Sequence, residues 1–291
     1  MNRTKIESVR NPDGTPGYTW NPITGCLYHI DGMCKGGGFP CWAWKLAKGR
    51  LFERYTANNN YAPVFSDGKG IATDLCDTFD PFYLRFWPEK LKEFSEHAYK
   101  PKGIFACDMS DLFGIGVPEE WTRQVLAVIK HQFIHRFYLL TKQPQNLAKF
   151  SPFPDNCYVG VTATNPDMFD AAFRALMEIQ AKVKYICFEP LLHWARVENL
   201  QRPLQELDWV IIGAQTKPLI VPDLSWVQTI ALAATKANIP LFLKNSLKPH
   251  LPNRMPFWGT YIWKELSAGV PVTMSENRFR QELPDWDKED V

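Results

Sequence analysis

From Lys102 onward, short apolar runs rich in β-branched and aromatic residues alternate with longer stretches of helical pattern. The runs are Gly103–Cys107, Phe137–Leu140, Cys157–Val161, Tyr185–Phe188, Trp209–Ile212 and Pro240–Leu243. Helices are predicted between them over about 118–131, 144–149, 167–181, 195–206 (broken near Pro203) and 223–237. Strands apolar on both faces, each followed by a helix, predict a parallel sheet covered by helices. Upstream, Tyr18–Trp20 reads as a first strand and Trp42 to Tyr55 as a helix. Phe82–Phe86 reads as a short strand that leads through Pro88 and Glu89 into a helix to about Tyr99, with Pro in its first turn. Six to eight βα units result. The expected fold class is α/β, a partial or complete (β/α) barrel in one domain over 1–291. The polar stretch at about 56–80 is expected to be an irregular insertion, and the acidic tail at about 277–291 a loosely held end.

Polar residues follow almost every predicted strand. They are Asp108-Met109-Ser110-Asp111, Thr141-Lys142-Gln143, Thr162-Ala163-Thr164-Asn165, Glu189-Pro190, Gln215-Thr216-Lys217 and Lys244-Asn245. Ligands of parallel α/β folds bind at the C-terminal edge of the sheet, so these residues point to one composite site.

The densest chemistry lies earlier. Cys26, Cys34 and Cys41, three of the seven cysteines, fall within sixteen residues, on a loop containing Gly36-Gly37-Gly38 and directly after the first strand. Such a loop turns back easily because glycine accepts positive φ. Three thiolates can hold an iron–sulfur cluster with one corner open, or three corners of a zinc tetrahedron, with His29 available as the fourth. Three unrelated buried thiols are the plain alternative.

Composition narrows the setting. The net charge of +2 and pI near 8.1 permit nucleic-acid binding without arguing for it. No apolar run approaches the roughly 20 residues that span a bilayer, so no membrane association is expected. An odd cysteine count and an N-terminus reading Met1-Asn2-Arg3-Thr4-Lys5 argue against a disulfide-stapled secreted protein and for a cytoplasmic one with reduced thiols. Oligomeric state is not legible.

Several strings then match in order: Thr19-Trp20-Asn21-Pro22-Ile23-Thr24-Gly25-Cys26, Cys41-Trp42-Ala43, Met109-Ser110-Asp111-Leu112-Phe113, Leu140-Thr141-Lys142-Gln143-Pro144, Glu189-Pro190-Leu191-Leu192 and Asp208-Trp209-Val210-Ile211-Ile212-Gly213. From about Tyr18 to Asn245 the chain resembles a phage-associated family that looks related to the radical S-adenosylmethionine (SAM) enzymes, in particular their spore photoproduct lyase-like branch. The resemblance implies a barrel of the radical SAM type and a [4Fe-4S] cluster on Cys26, Cys34 and Cys41. It implies that Trp42 packs near the adenine of SAM and that Ser110, Lys142 and Thr162 contact SAM. The implied chemistry is hydrogen abstraction by a 5′-deoxyadenosyl radical, fed by a flavodoxin- or ferredoxin-like reductant. By analogy the substrate is a nucleobase in DNA or RNA. Asp108, Asp111 and Glu189 are the candidate catalytic carboxylates; Gln215 and Lys244 are further cofactor or substrate contacts. The rival reading is a zinc-stabilised, non-catalytic nucleic-acid-binding protein.

Two departures from the resemblance stand out. The usual spacing is C-x3-C-x2-C, whereas seven and six residues separate these cysteines. The glycines of the Lys35–Pro40 insertion can loop out and leave the thiols convergent. The lyase carries a cysteine where this chain has Asp108; Cys107 lies one step earlier and, on strand alternation, faces the other side. Repair of the spore lesion itself is therefore not expected.

Elsewhere, Cys107, Cys157 and Cys187 read as core residues, Cys76 is undecided, and His131 and His135 read as cap or surface residues. Glu189 fits ligand binding or an ion pair with Lys142 or Lys244. Trp42, Trp44, Phe52, Tyr55 and Tyr61, interleaved with Lys45, Lys48, Arg50 and Arg54, fit either a base-stacking, phosphate-binding surface or an amphipathic helix with a solvated basic face.

Overall fold

The computed structural model describes residues 1–63, 78–94, 100–194, 199–250 and 280–284. An eight-stranded sheet runs through it. Its strands are β1 (Asn2–Arg3), β2 (Tyr18–Trp20), β3 (Gly103–Ala106), β4 (Arg136–Thr141), β5 (Cys157–Thr162), β6 (Val183–Phe188), β7 (Trp209–Ile212) and β8 (Leu241–Leu243). They lie side by side in that order; β2 to β8 are all parallel and β1 is antiparallel at the edge. The chain is thus a mixed α/β protein.

The helices are α1 (Trp42–Lys48), α2 (Phe52–Thr56), α3 (Glu119–His131), α4 (Pro166–Met177), α5 (Gln201–Gln205) and α6 (Leu224–Lys236). In α3, Thr122, Val125 and Ile129 form the buried stripe, while Glu119 and Glu120 at one end and Lys130 and His131 at the other complement the helix dipole. Asn165 caps α4 by accepting from Met168 N at 2.9 Å, with Pro166 in the first turn.

Some predicted elements differ. The stretch from Trp42 to Tyr55 is two helices, because the chain turns at Gly49. Of Phe82–Phe86, only Arg85–Phe86 is a strand, and it pairs with Ile23–Thr24 outside the main sheet. Segments 144–150 and 88–92 form 3₁₀ turns; residues 95–99 and 195–198 of two predicted helices, and 64–77 of the insertion, lie outside the described residues.

The sheet has a core on each face, which is why its strands read as continuously apolar. Ile104, Phe137, Leu139, Val159, Val161, Ile186 and Phe188 pack under the helices. Tyr138, Tyr158, Tyr185, Cys187, Trp209, Ile211 and Phe242 alternate with them on the opposite face and form a second, aromatic core. Tyr185 stacks obliquely on Trp209 at 5.3 Å and donates to Leu139 O at 3.0 Å. It occupies the place where a side chain on Gly160 would stand, 2.2 Å from a Cβ there.

Among the described residues no ladder joins β8 to β2, so the complete form of the expected barrel does not close. Other contacts bring the ends together. Asn245 N donates to Glu7 Oε2 at 2.7 Å. Arg280–Pro284, expected in the loosely held tail, instead docks against β8: Leu243 N donates to Arg280 O at 2.8 Å and Glu282 N to Leu241 O at 3.0 Å. Trp209 Nε1 donates to Glu282 O at 2.9 Å, tying this segment to the aromatic core. No helix among the described residues is long and apolar enough to cross a membrane.

His135 is buried rather than a surface or cap residue. Its ring lies against Phe94 and Phe137, neither nitrogen has a hydrogen-bond partner among the described residues, and burial pulls its pKa down to about 4.

Two stability predictions follow from this packing. Gly160→Ala drives a methyl into the Tyr185 ring and should cost about 2–3 kcal/mol, read as a lower urea midpoint at unchanged slope. Because the folded-state pKa of His135 is depressed, the unfolded chain takes up that proton first. Its contribution is intact above about pH 6.5 and drains as pH falls toward 4, by about 1–2 kcal/mol at pH 5. His135→Leu should flatten this part of the stability–pH curve.

Candidate functional site

All seven parallel strands end on one edge, and alternation decides which side chains face the aromatic core there. Continuing the inward rows gives Lys142 after β4, Thr162 at the end of β5, Cys187 on β6 and Glu189 just after it, and Lys244 after β8.

The cysteine loop lies over this edge. Gly25 has φ +88°, and a Cβ there would meet the Phe82 and Tyr83 carbonyl oxygens at 2.6 and 2.3 Å, so only glycine fits before Cys26. Gly25 N donates to Met109 O at 3.0 Å, and Ser110 Oγ donates to Gly25 O at 2.6 Å. Cys26 therefore sits on backbone pinned to the loop after β3. The chain then folds into three short antiparallel strands, His29–Ile30, Met33–Cys34 and Phe39–Pro40. The Lys35–Pro40 insertion does not loop out. A Cβ on Gly36 would lie 2.9 Å from Lys142 Cβ, and one on Gly37 2.7 Å from the Thr164 side chain, so the bare backbone rests on the residues after β4 and β5. Cys41 caps α1, its Sγ accepting from Trp44 N at 3.5 Å, as Cys26 Sγ does from Tyr28 N at 3.3 Å.

Two of the three thiols are raised by their surroundings. Burial, then Asp111, pushes the Cys26 thiol up to about 12, with Cys34 and Cys41 adding to the effect. Burial also raises Cys34, while Lys142 pulls it back. Raised in this way, the Cys26 and Cys34 thiols are neutral at pH 7 and poor nucleophiles. A bound metal would displace their protons. Among the described residues no three His, Cys, Asp or Glu side chains form a group that could hold a metal ion. As a donor set, the three thiols are of the kind that ligates either a zinc ion or an iron–sulfur cluster. His29 turns Nδ1 into its own hairpin, accepting from Gly32 N at 3.3 Å.

The carboxylates divide by role. Asp111 is buried; its Oδ2 accepts from Thr141 Oγ1 at 2.9 Å and Lys142 N at 3.0 Å, and its Oδ1 from Phe113 N at 3.1 Å. It clamps the loop after β3 to the end of β4, and burial outweighs these bonds to raise its pKa. Asp108 is bound by Asn21 Nδ2 at 2.5 Å, while Asn21 Oδ1 accepts from Met109 N at 3.0 Å. Asn21 was not among the predicted site residues; a polar residue directly after the first strand was its signal. Cys107 faces the helix-side core. Glu189 Oε2 lies 3.3 Å from Lys244 Nζ and 3.9 Å from Cys187 Sγ. Burial lowers the Lys244 pKa, but Glu189, with Glu7 adding to it, outweighs burial and the ammonium is held above its ordinary range.

Lys142 joins the two groups, acting on Cys34 on one side and Cys187 on the other. Its Nζ lies 5.7 Å from the Phe39 ring centre. Thr162 is buried and its Oγ1 has no hydrogen-bond partner among the described residues. Gln215 instead donates to Pro218 O at 2.9 Å within its own hairpin, and Trp42 is half exposed on α1.

The fold and site define an α/β protein with a three-thiol loop seated on the C-terminal edge of a parallel sheet. A family model described as "Protein of unknown function (DUF5131)" matches residues 4–251, and the chain belongs to that family. No curated protein and no solved structure matches it.

Asp111→Asn replaces an acceptor of three donors with a group that must present an NH₂ to one of them. It should destabilise the chain by about 2 kcal/mol, measured by chemical denaturation.

Proposed function

We propose that this protein is a radical SAM enzyme that holds a four-iron cluster on Cys26, Cys34 and Cys41. One observation carries the reading: the three-thiol loop is packed through Gly36 and Gly37 onto Lys142 and Thr164, next to the buried, unpartnered Thr162 hydroxyl. The open sheet, with its strands in sequential order, is read as a partial barrel of the radical SAM type. When bound, the cluster and SAM supply reductive cleavage of SAM and hydrogen abstraction from a substrate.

The residues of the chain serve that chemistry by holding and orienting. Lys142 offers an ammonium to the carboxylate of the methionine moiety. Thr162 offers its free hydroxyl to the neighbouring amino group. Ser110 fixes the turn that presents Cys26, and Asp111 fixes the backbone of Lys142. Glu189 and Lys244, one edge-residue further on, present an acceptor and a donor to a polar substrate group. The neutral Cys187 thiol beside them keeps the wall free of a competing charge. The substrate class, a nucleobase in DNA or RNA, and a flavodoxin- or ferredoxin-like reductant come from the resemblance of the sequence strings alone.

Anaerobic reconstitution with iron and sulfide should give about four irons per chain and, after reduction, a paramagnetic resonance signal that SAM perturbs. Lys142→Ala should weaken SAM binding by about 1.5–3 kcal/mol while leaving iron content unchanged. Bound zinc without sulfide, or SAM affinity indifferent to Lys142, would overturn the assignment.

A further inference from the structure

The segment 42–56 admits two readings by sequence, a solvated amphipathic helix or a nucleic-acid surface, and the two put the aromatic rings in different places. In a simple amphipathic helix the rings turn inward and only the charges face water. Here Trp44 and Tyr55 do turn inward, to pack with Ala43, Ala47, Phe82 and Met109. Trp42 and Phe52 do not: they are 51% and 46% exposed. Lys45, three residues after Trp42 and so on the same face of α1, is exposed as well, as are Lys48, Arg50 and Arg54 around the turn and on α2. Lys48 already pairs with Asp80 at 3.0 Å, so a carboxylate shares this surface, and Arg54 lies 5.5 Å from the Trp87 ring centre. Glu53 is the only acidic residue between 42 and 56, against four basic ones. Two outward rings set among cations match a strand of stacked bases with a phosphate backbone.

We infer that the outward face of α1 and α2, formed by Trp42, Lys45, Lys48, Arg50, Phe52 and Arg54, binds single-stranded nucleic acid, with the two rings stacking on bases and the cations meeting phosphates. Trp42 follows Cys41 directly, so a strand lying here passes beside the cysteine loop. The inference rests on the function proposed above for its purpose, since it names the partner that would bring a nucleobase to that edge. Its physical basis is independent of any cluster.

The test is fluorescence anisotropy with labelled oligo(dT) and oligo(U) of roughly 20 nucleotides on the full chain, without reconstitution, across about 50–200 mM salt. Affinity should fall with salt. Trp42→Ala and Phe52→Ala should each weaken binding about tenfold at unchanged salt slope. Lys45→Glu with Arg50→Glu should flatten the slope by about two. All four side chains are exposed, so unchanged thermal unfolding will verify that the variants are folded. A preference for one oligonucleotide would identify DNA or RNA as the partner. Absence of binding at low salt would overturn the inference, and so would binding that heparin reproduces and that ignores Trp42 and Phe52. Because neither iron nor SAM is added, a negative result here leaves the cluster assignment standing, and failed reconstitution leaves this surface standing.

Discussion

Two neighbouring strands that run the same way cannot be joined by a tight hairpin; the chain must leave the sheet and return to the end it came from. Seven strands obey this rule here in strict sequence, and the consequences reach every other part of the molecule. Each return path puts a helix or turn on the same face, which gives the helix-side core. The opposite face is left to the side chains themselves, and Tyr138, Tyr158, Tyr185, Trp209 and Phe242 fill it. Every strand also ends on one edge, so residues far apart in sequence, such as Asp111, Lys142, Thr162 and Lys244, become neighbours there.

The edge is built largely by what is missing from side chains. Gly25 lets the loop carrying Cys26 pass under two carbonyls, Gly36 and Gly37 let the insertion touch Lys142 and Thr164, and Gly213 leaves room for Glu189 and Lys244. Around these contacts the charges are spaced so that each buried group has an opposite or a donor: Asp111 takes backbone and hydroxyl donors, and Lys244 takes Glu189. Among the described residues, the Thr162 hydroxyl and Gln143 Nε2 are buried at this edge with no hydrogen-bond partner, and a buried polar group of that kind favours a ligand that can bond it.

Legibility along the chain followed the strength of the local pattern. The six strands from Gly103 on, and α3, α4 and α6, were readable from their apolar period; the cap at Asn165 and Pro166, which starts α4, is seen only in the structure. Phe82–Phe86 looked like a strand by composition, yet only Arg85–Phe86 pairs, since the main sheet already has its neighbours in place. His135 looked like a surface residue beside a helix end and is buried, because Phe94, distant in sequence, packs on it. Gln215 read as a rim residue, but its amide is taken up by the hairpin turn at Pro218.

The sequence by itself determined the alternating α/β pattern, the parallel sheet, and which residue types stand at its C-terminal edge, because these depend on local periodicity and on spacing along the chain. Only the tertiary structure decided that the glycine insertion folds inward onto Lys142 rather than outward, that Asp111 is a clamp, that Arg280–Pro284 closes against β8, and that Trp42 and Phe52 face out while Trp44 and Tyr55 face in. Each of those depends on the distance between segments that share no local pattern, and distance across a fold is set by packing.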